Sequence, residues 1–449
     1  MIIVDNALKK REHQGKPIRV GLIGAGYMGR GIAHQLLTPI AGMRLVAMSN
    51  RHVTGAERIL AEAGVDALVG VTSTAVLEDA IQRERMVVTD DATLLCQAEN
   101  IDVLIECTGE VEFGSHVATN AIDHGKHTVL VNAELDAVVG PILKVRAERA
   151  GVVLTNTDGD EPGIAMNLLR FVDTIGYRPV MAGNIKGFYN PHRNPETQRE
   201  FAQKVNQNAS MITSFADGTK LSMETAILAN AAGFGVAKRG MFGHRCDHVK
   251  DILRHFSVDQ LLDGGIVEFV LGAEPGTGAF VVGYNDEPVK QEYMRYFKMG
   301  DGPLYVFYTP YHLPQFQVAV TVGRAALFQD AAVSPIGKPM CDVVTVAKRN
   351  LKTGEVLDGI GGFDAYGMID NADVCQDEDL LPMSLSRGCR LARDVAQDDT
   401  ICYADVILPT GRMCDELRTE QNCFFYDERK SALEQSRAST VVGIRETIR

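Results

Sequence analysis

The sequence predicts an α/β protein: a Rossmann-type doubly wound parallel sheet, then a central α+β domain, then a small β-rich C-terminal module. Three observations predict the sheet and the division into domains. The stretch "GLIGAGYMGRG" (21–31) sets Gly24, Gly26 and Gly29 in G-x-G-x-x-G spacing between a strand-like and a helix-like pattern. Apolar runs at 101–106 and 127–132 flank a helical segment, as expected where a parallel sheet continues. The chain has 449 residues, 45% of them hydrophobic, more than one core holds, so two or three domains are expected.

Composition excludes several classes. Net charge is -13, from 45 basic and 58 acidic residues, and the basic residues form no block, which argues against nucleic acid as a partner. Nine cysteines, odd in number and without C-x-x-C or Cys/His spacing, read as reduced thiols of a cytoplasmic protein, with no disulfide framework. The opening "MIIVDNALKKREHQGKPIRV" has too short an apolar stretch for a signal peptide, and no long uncharged apolar run follows, so neither secretion nor a membrane span is expected.

Residues 18–23 read as a buried strand, and Met28, Ile32, Leu36 and Leu37 give the next segment helical spacing. Strand, glycines and helix in that order let backbone N–H groups around Gly26, Tyr27 and Met28 hold a pyrophosphate; the alternative is a turn that binds nothing. The following strand, "MRLVAMSNR", ends where an acidic residue would accept the ribose hydroxyl of NAD. Ser49, Asn50 and Arg51 stand there instead, which suits the 2'-phosphate of NADP. Cys107, Thr108 and Gly109 end the 101–106 strand at the sheet edge where ligands bind. Cys107 has no evident histidine partner and is read as a packing thiol.

With the first domain committed to the cofactor, residues 155–335 must supply the substrate site. Three constellations offer chemistry. "NAELD" and "TNTDGDEPG" gather Glu134, Asp136, Asp158, Asp160 and Glu161, a density that needs a cation, a lysine or shared protons to offset repulsion. Mg or Mn ligation is one reading; a solvated turn or contacts to substrate hydroxyls is the other. "GNIKGFYNPHRNPE" offers Lys186, Asn190, His192 and Arg193 to an anionic phosphate, against the alternative of a solvated loop. In "ADGTKLSMETAILANAAG", Asp217 is a candidate N-cap, and Lys220 and Glu224 stand one helical turn apart. A buried helix start would point Lys220 and Ser222 into the cleft; a surface ion pair is the alternative. Downstream, residues near 310–332 predict a helix returning to the cofactor domain, with His312 at its start.

Taken in order, "GLIGAGYMGRG", "IECTGEVEFG", "HGKHTVLVNAELD" and "TNTDGDEPG" resemble the Rossmann half of the homoserine dehydrogenase family. The chain departs from that family at Glu134 and Leu135, where an Asn-Lys element is expected, and in its acidic turn. It is more similar to the 1-deoxy-D-xylulose 5-phosphate reductoisomerase-like (DRL) branch, through "NIKGFYNP", "SFADGTKLSMETAILANAAG" and the C-terminal segment. The segments "GKPMCDVVTVAKRNLKTGEVLDGIGG" and "LPMSLSRGCRLARDVAQDDTICYADVILP" resemble an SAF-like β module. The resemblance implies an NADP-binding domain at 1–155, a catalytic and dimerisation domain at 156–340 and an SAF-like domain at 341–449, in a homodimer. It also implies NADPH-dependent conversion of 1-deoxy-D-xylulose 5-phosphate to 2-C-methyl-D-erythritol 4-phosphate, in isoprenoid precursor synthesis. Lys186 or Lys220 would stabilise an oxyanion, and Glu134, Asp160 or Glu224 would accept a proton. Asn190, His192, Arg193 and Ser222 would contact substrate. Two alternatives are an NADP-dependent dehydrogenase of a sugar acid or amino-acid semialdehyde, and a non-catalytic NADP sensor or scaffold.

Overall fold

A computed structural model describes residues 2–427; the last part of the expected C-terminal domain, 428–449, lies outside the described residues. Seven strands form the first sheet: β1 (Ile18–Ile23), β2 (Met43–Ser49), β3 (Leu68–Gly70), β4 (Met86–Thr89), β5 (Val103–Glu106), β6 (His127–Leu130) and β7 (Leu154–Asn156). Their order is β3-β4-β2-β1-β5-β6-β7, and every pairing is parallel. Central strands such as "IRVGLI" and "VLIE" are apolar nearly throughout because helices cover both faces. The order reverses between β1 and β5, so a crevice opens at their carboxyl ends, where Gly24 to Gly29 and Cys107 to Gly109 lie.

The second sheet joins β8 (Arg178–Lys186), β9 (His244–Arg245), β10 (Ile266–Leu271), β11 (Gly278–Tyr284) and β12 (Leu304–Thr309) in the order β12-β11-β8-β10-β9. It is mixed: β8 runs parallel to β10 and antiparallel to β11. Helices Glu161–Thr174 and Thr219–Ala232 pack on one face through Ile164, Val172, Leu221 and Ile227 against Val267, Phe269 and Val281. Helix Pro314–Phe328 then returns to the first sheet, burying Val318 and Val322 beside Ile32, Leu36 and the N-terminal Val4 and Leu8.

The C-terminal segment has two small antiparallel pairs, β13 (Cys341–Ala347) with β14 (Ala365–Asn371) and β15 (Arg390–Leu391) with β16 (Val406–Ile407), followed by helix Met413–Asn422. It shares cores with both other regions. Val343 and Ile369 join the central cluster, and Leu381, Leu385 and Leu417 pack on Leu135, Val138 and Ile142 of helix Ala133–Ala150. A buried ion pair, Lys348 Nζ to Asp217 Oδ2 at 2.7 Å, ties it to the start of helix Thr219–Ala232. The eight cysteines from Cys96 to Cys414 are free thiols, and no helix among the described residues is long and apolar enough to cross a membrane.

Candidate active site

One cleft of about 1210 Å³ is lined by Gly26, Tyr27 and Met28 of the glycine loop and by Glu134, Asp160, Glu161, Lys186, Lys220 and Glu224. These six ionisable residues come from four places: the first turn of helix Ala133–Ala150, the start of helix Glu161–Thr174, the last residue of β8, and the first two turns of helix Thr219–Ala232. Lys186 Nζ donates to Glu161 Oε1 and, at 3.2 Å, to Glu224 Oε2. Lys220 Nζ donates to Glu134 Oε1 at 3.2 Å. His312 stands behind Glu161, Nε2 to Oε2 3.7 Å, and its Nδ1 is 3.2 Å from the Thr277 hydroxyl.

Electrostatics divides the four carboxyl groups. Burial pushes Glu161 up, but the Lys186 ammonium and His312 outweigh it and hold Glu161 at about 2. Burial and the Glu161 charge push Asp160 up to about 7 and Glu224 up to about 8, with Lys186 and Lys220 opposing. Burial would discharge both lysines, yet their carboxylate neighbours hold each well above the ordinary lysine value. Near neutral pH the floor therefore carries two ammonium groups, with the Glu161 carboxylate beside Lys186 and Glu134 accepting from Lys220. Asp160 and Glu224 retain protons to exchange. Oxygens of Asp160, Glu161 and Glu224 lie within 4.8 Å of one another, hard donors whose chemistry fits a divalent ion such as Mg or Mn displacing those protons.

On the nucleotide side the three glycines do different things. Gly24 has φ +113°, and a Cβ on Gly29 would lie 2.2 Å from the Gly24 carbonyl oxygen, so those two shape the turn. A Cβ on Gly26 would meet nothing in the protein, and its φ is an ordinary -79°. Only a close ligand would require glycine there. Cys107 lines the cleft but is buried, with Sγ 3.2 Å from the Ile23 carbonyl oxygen, and burial pushes its thiol up, as a packing thiol requires. Thr108 and Gly109 line the cleft beside it.

Several expected contacts fall elsewhere. Ser49 is buried, and its carbonyl accepts from Gly24 N, which fastens the end of β2 to the glycine loop. Asn50 is occupied inside the loop: Oδ1 accepts from Ala25 N and Nδ2 donates to the His52 carbonyl. Arg51 is left as the exposed group at that strand end. Ser222 points away from the cleft, donating to the Gly367 carbonyl on β14, because the buried helix face there meets the C-terminal segment. Asn190 shapes its own loop by accepting from His192 N, and His192 pairs with Asp398 at 2.8 Å; neither lines the cleft. Asp136 is buried against Asn156, with burial raising it to about 6. Asp158 is held by Arg324 at 2.6 Å, which fastens helix Pro314–Phe328 to the acidic turn. Asp217 accepts from Thr219 N, but Gly218, at φ +86°, takes the N-cap position.

Arg193 does line the cleft. No described residue neutralises its guanidinium, which lies 5.2 Å over the Phe188 ring. Sequence reasoning missed Glu106, the buried end of β5, which accepts from Thr108 N and Asn132 Nδ2 at 2.8 Å each and so sets the turn beneath the cleft. Its signal was a charge ending an otherwise apolar strand. Asn184 was missed too; it reaches Glu224 at 3.5 Å from within β8.

Residues 159–318 match the family model of the oxidoreductase DRL catalytic domain. No curated protein sequence matches the chain. Among solved structures, an NAD binding oxidoreductase from Klebsiella pneumoniae is 20% identical over 38% of this chain, with a TM-score of 0.28; the chain spans 43% of that protein's length. An apo scyllo-inositol dehydrogenase from Lactobacillus casei is 12% identical over 70% of this chain and 87% of its own, with a TM-score of 0.40. A Synechocystis biliverdin reductase in complex with biliverdin and NADP+ is 18% identical over 40% of this chain and 50% of its own, with a TM-score of 0.27. What this chain is similar to is thus an oxidoreductase catalytic domain across its central region, joined to a dinucleotide-type sheet.

Proposed function

We propose that the chain is an NADPH-dependent oxidoreductase that converts 1-deoxy-D-xylulose 5-phosphate to 2-C-methyl-D-erythritol 4-phosphate, acting as a cytoplasmic homodimer on free small molecules. One observation carries the reading: the glycine loop and the two-lysine, four-carboxylate floor open into the same cleft. A dinucleotide seated on Gly26 would bring its reactive ring toward that floor.

The chemistry has two parts, a skeletal rearrangement of a hydroxyketone and delivery of hydride to the aldehyde it produces. Rearrangement requires a proton to leave one substrate oxygen and another to reach its neighbour. Asp160, raised to about 7, accepts the first proton in its ionised form, and Glu224, raised to about 8, donates the second from its protonated form. The Lys186 and Lys220 ammonium groups stabilise negative charge as it develops on substrate oxygen, and Glu161 and Glu134 hold them charged and in place. Asp160, Glu161 and Glu224 would alternatively hold a divalent ion in place of those protons, which would supply Lewis-acid polarisation instead of the carboxyl proton exchange. Arg193, unneutralised and at the cleft wall, takes the substrate phosphate; Lys186, already engaged by two carboxylates, is the poorer phosphate ligand.

The test is NADPH oxidation followed at 1-deoxy-D-xylulose 5-phosphate saturation, with Mg or Mn supplied and the product identified by mass and NMR. Turnover to the branched polyol phosphate is expected. Oxidation only with sugar acids or semialdehydes would replace the substrate, and dinucleotide binding without turnover of any carbonyl substrate would replace the enzyme reading with a sensor.

A further inference from the structure

A second cavity, about 650 Å³, adjoins the main cleft; Thr108 and Gly109 line both. Its walls come from two distant parts of the chain. Arg51, just beyond the end of β2, lines it together with Arg387 and Arg412 of the C-terminal segment. The cavity also has acidic walls, but its carboxylates are engaged. Glu112 accepts from Met413 N and Cys414 N at 2.9 and 3.0 Å, Asp358 accepts from Phe363 N at 2.6 Å, and Glu134 belongs to Lys220. Arg412 is spent on both oxygens of Asp415, at 2.7 and 2.8 Å.

Two cations remain for a ligand. Arg51 makes no hydrogen bond or ion pair with any described residue. Arg387 is held only by Glu110 Oε2 at 3.0 Å, with both side chains largely exposed, an arrangement that a doubly charged anion can outcompete. The position of Arg51, one strand over from the glycine loop, is where the adenosine ribose of a dinucleotide lies.

We propose that Arg51 and Arg387 together form a clamp for the 2'-phosphate of NADP, so that the C-terminal segment takes part in selecting the phosphorylated dinucleotide. This rests on the NADPH reading above and adds to it a residue from the opposite end of the chain. Glu110 is the gate of the clamp: in the empty protein it holds Arg387 at the cavity wall, and it yields the guanidinium when phosphate arrives. The geometry therefore assigns opposite signs to two neighbouring substitutions. Removing Arg387 weakens NADPH binding, whereas removing the Glu110 charge strengthens it.

The experiment is equilibrium binding of NADPH and NADH, by nicotinamide fluorescence, to the full-length protein and to Arg51→Ala, Arg387→Ala and Glu110→Gln, with adenosine 2',5'-bisphosphate as competitor. Arg51→Ala and Arg387→Ala should each weaken NADPH about tenfold and leave NADH unchanged, the loss of one charge-assisted contact. Glu110→Gln should tighten NADPH about threefold, with NADH again unchanged. Arg387 is exposed in a turn, so folding of its variant is checked simply by circular dichroism and the retained NADH affinity. An NADPH-to-NADH ratio unaltered by Arg387→Ala overturns the clamp while leaving the oxidoreductase reading intact. Equal weakening by Arg387→Ala and Glu110→Gln would also overturn it, since the ion pair would then be only a brace. Failure of the unmodified protein to bind either dinucleotide would overturn the cofactor reading and the clamp with it.

Discussion

The floor of the cleft and its rim use cations in opposite ways. On the floor, Lys186 and Lys220 are half-buried and each touches a buried carboxylate, so their charge is offset by the protein before any substrate arrives. At the rim, Arg51 and Arg193 face the two cavities with no carboxylate on them. An offset buried cation adds little net attraction for an incoming anion, but it is held in place and can oppose charge that appears during reaction. An unpaired cation at the surface does the reverse, steering and holding phosphate. The contrast separates groups that should govern turnover from groups that should govern affinity.

The largest effect expected from breaking this contrast lies on the floor. Lys220→Met leaves Glu134 buried without its cation, which should cost about 3–5 kcal/mol of stability and lower kcat by about 10²–10⁴-fold. Thermal unfolding and turnover measured on the same preparation check both, and NADPH binding by the folded fraction should persist. A kcat unchanged in Lys220→Met would place the lysine among merely structural groups.

At the rim, Arg193→Ala should raise KM for a phosphorylated substrate about 10–100-fold, the worth of a charge-assisted contact of about 1.5–3 kcal/mol, with kcat little altered. An analogue lacking the phosphate should show no such penalty. Steady-state kinetics with the matched pair of substrates sharpens the division, and a fall in kcat without a change in KM would erase it.

The smallest effect concerns pH. Asp160 and Glu224 titrate at about 7 and 8, above ordinary carboxyl groups, so between roughly pH 4 and 8 the native protein binds more protons than the unfolded chain. Their contribution is fully present below the unfolded values and is lost as pH rises through the native ones. Tm should fall gradually across that window, and Glu224→Gln should flatten the slope. Glu161, held at about 2, works in the other direction: its contribution is present above the ordinary carboxyl range and is lost as pH falls toward 2. Scanning calorimetry from pH 3 to 9 on both proteins checks the sign.

Much of the Rossmann half was legible because its signals are local. A strand that must be covered on both faces is an apolar run, and a helix that must start beside a phosphate begins with glycines, as at 18–37. The floor was legible as a set of residue types but not as a set of partners. Lys220 and Glu224, one turn apart on one helix, read as a pair, yet Lys220 reaches Glu134 and Lys186 reaches Glu224, because β8 and helix Ala133–Ala150 bring opposite charges nearer than the helix does. Ser222, Asn190 and His192 are engaged by the protein for the same reason: polarity marks a residue that needs a partner, and only packing says whether that partner is ligand or protein.

By itself, then, the sequence determined the α/β sheet, the glycine loop and which side chains could carry proton transfer or anion binding, since these follow from periodicity and functional groups within a few residues of one another. Tertiary structure alone decided which carboxylates stay protonated, which cations stay unpaired, and that Arg51 and Arg387 border one cavity. Those properties depend on desolvation and on charges brought together from segments remote in the chain, and neither quantity is defined until the chain has folded.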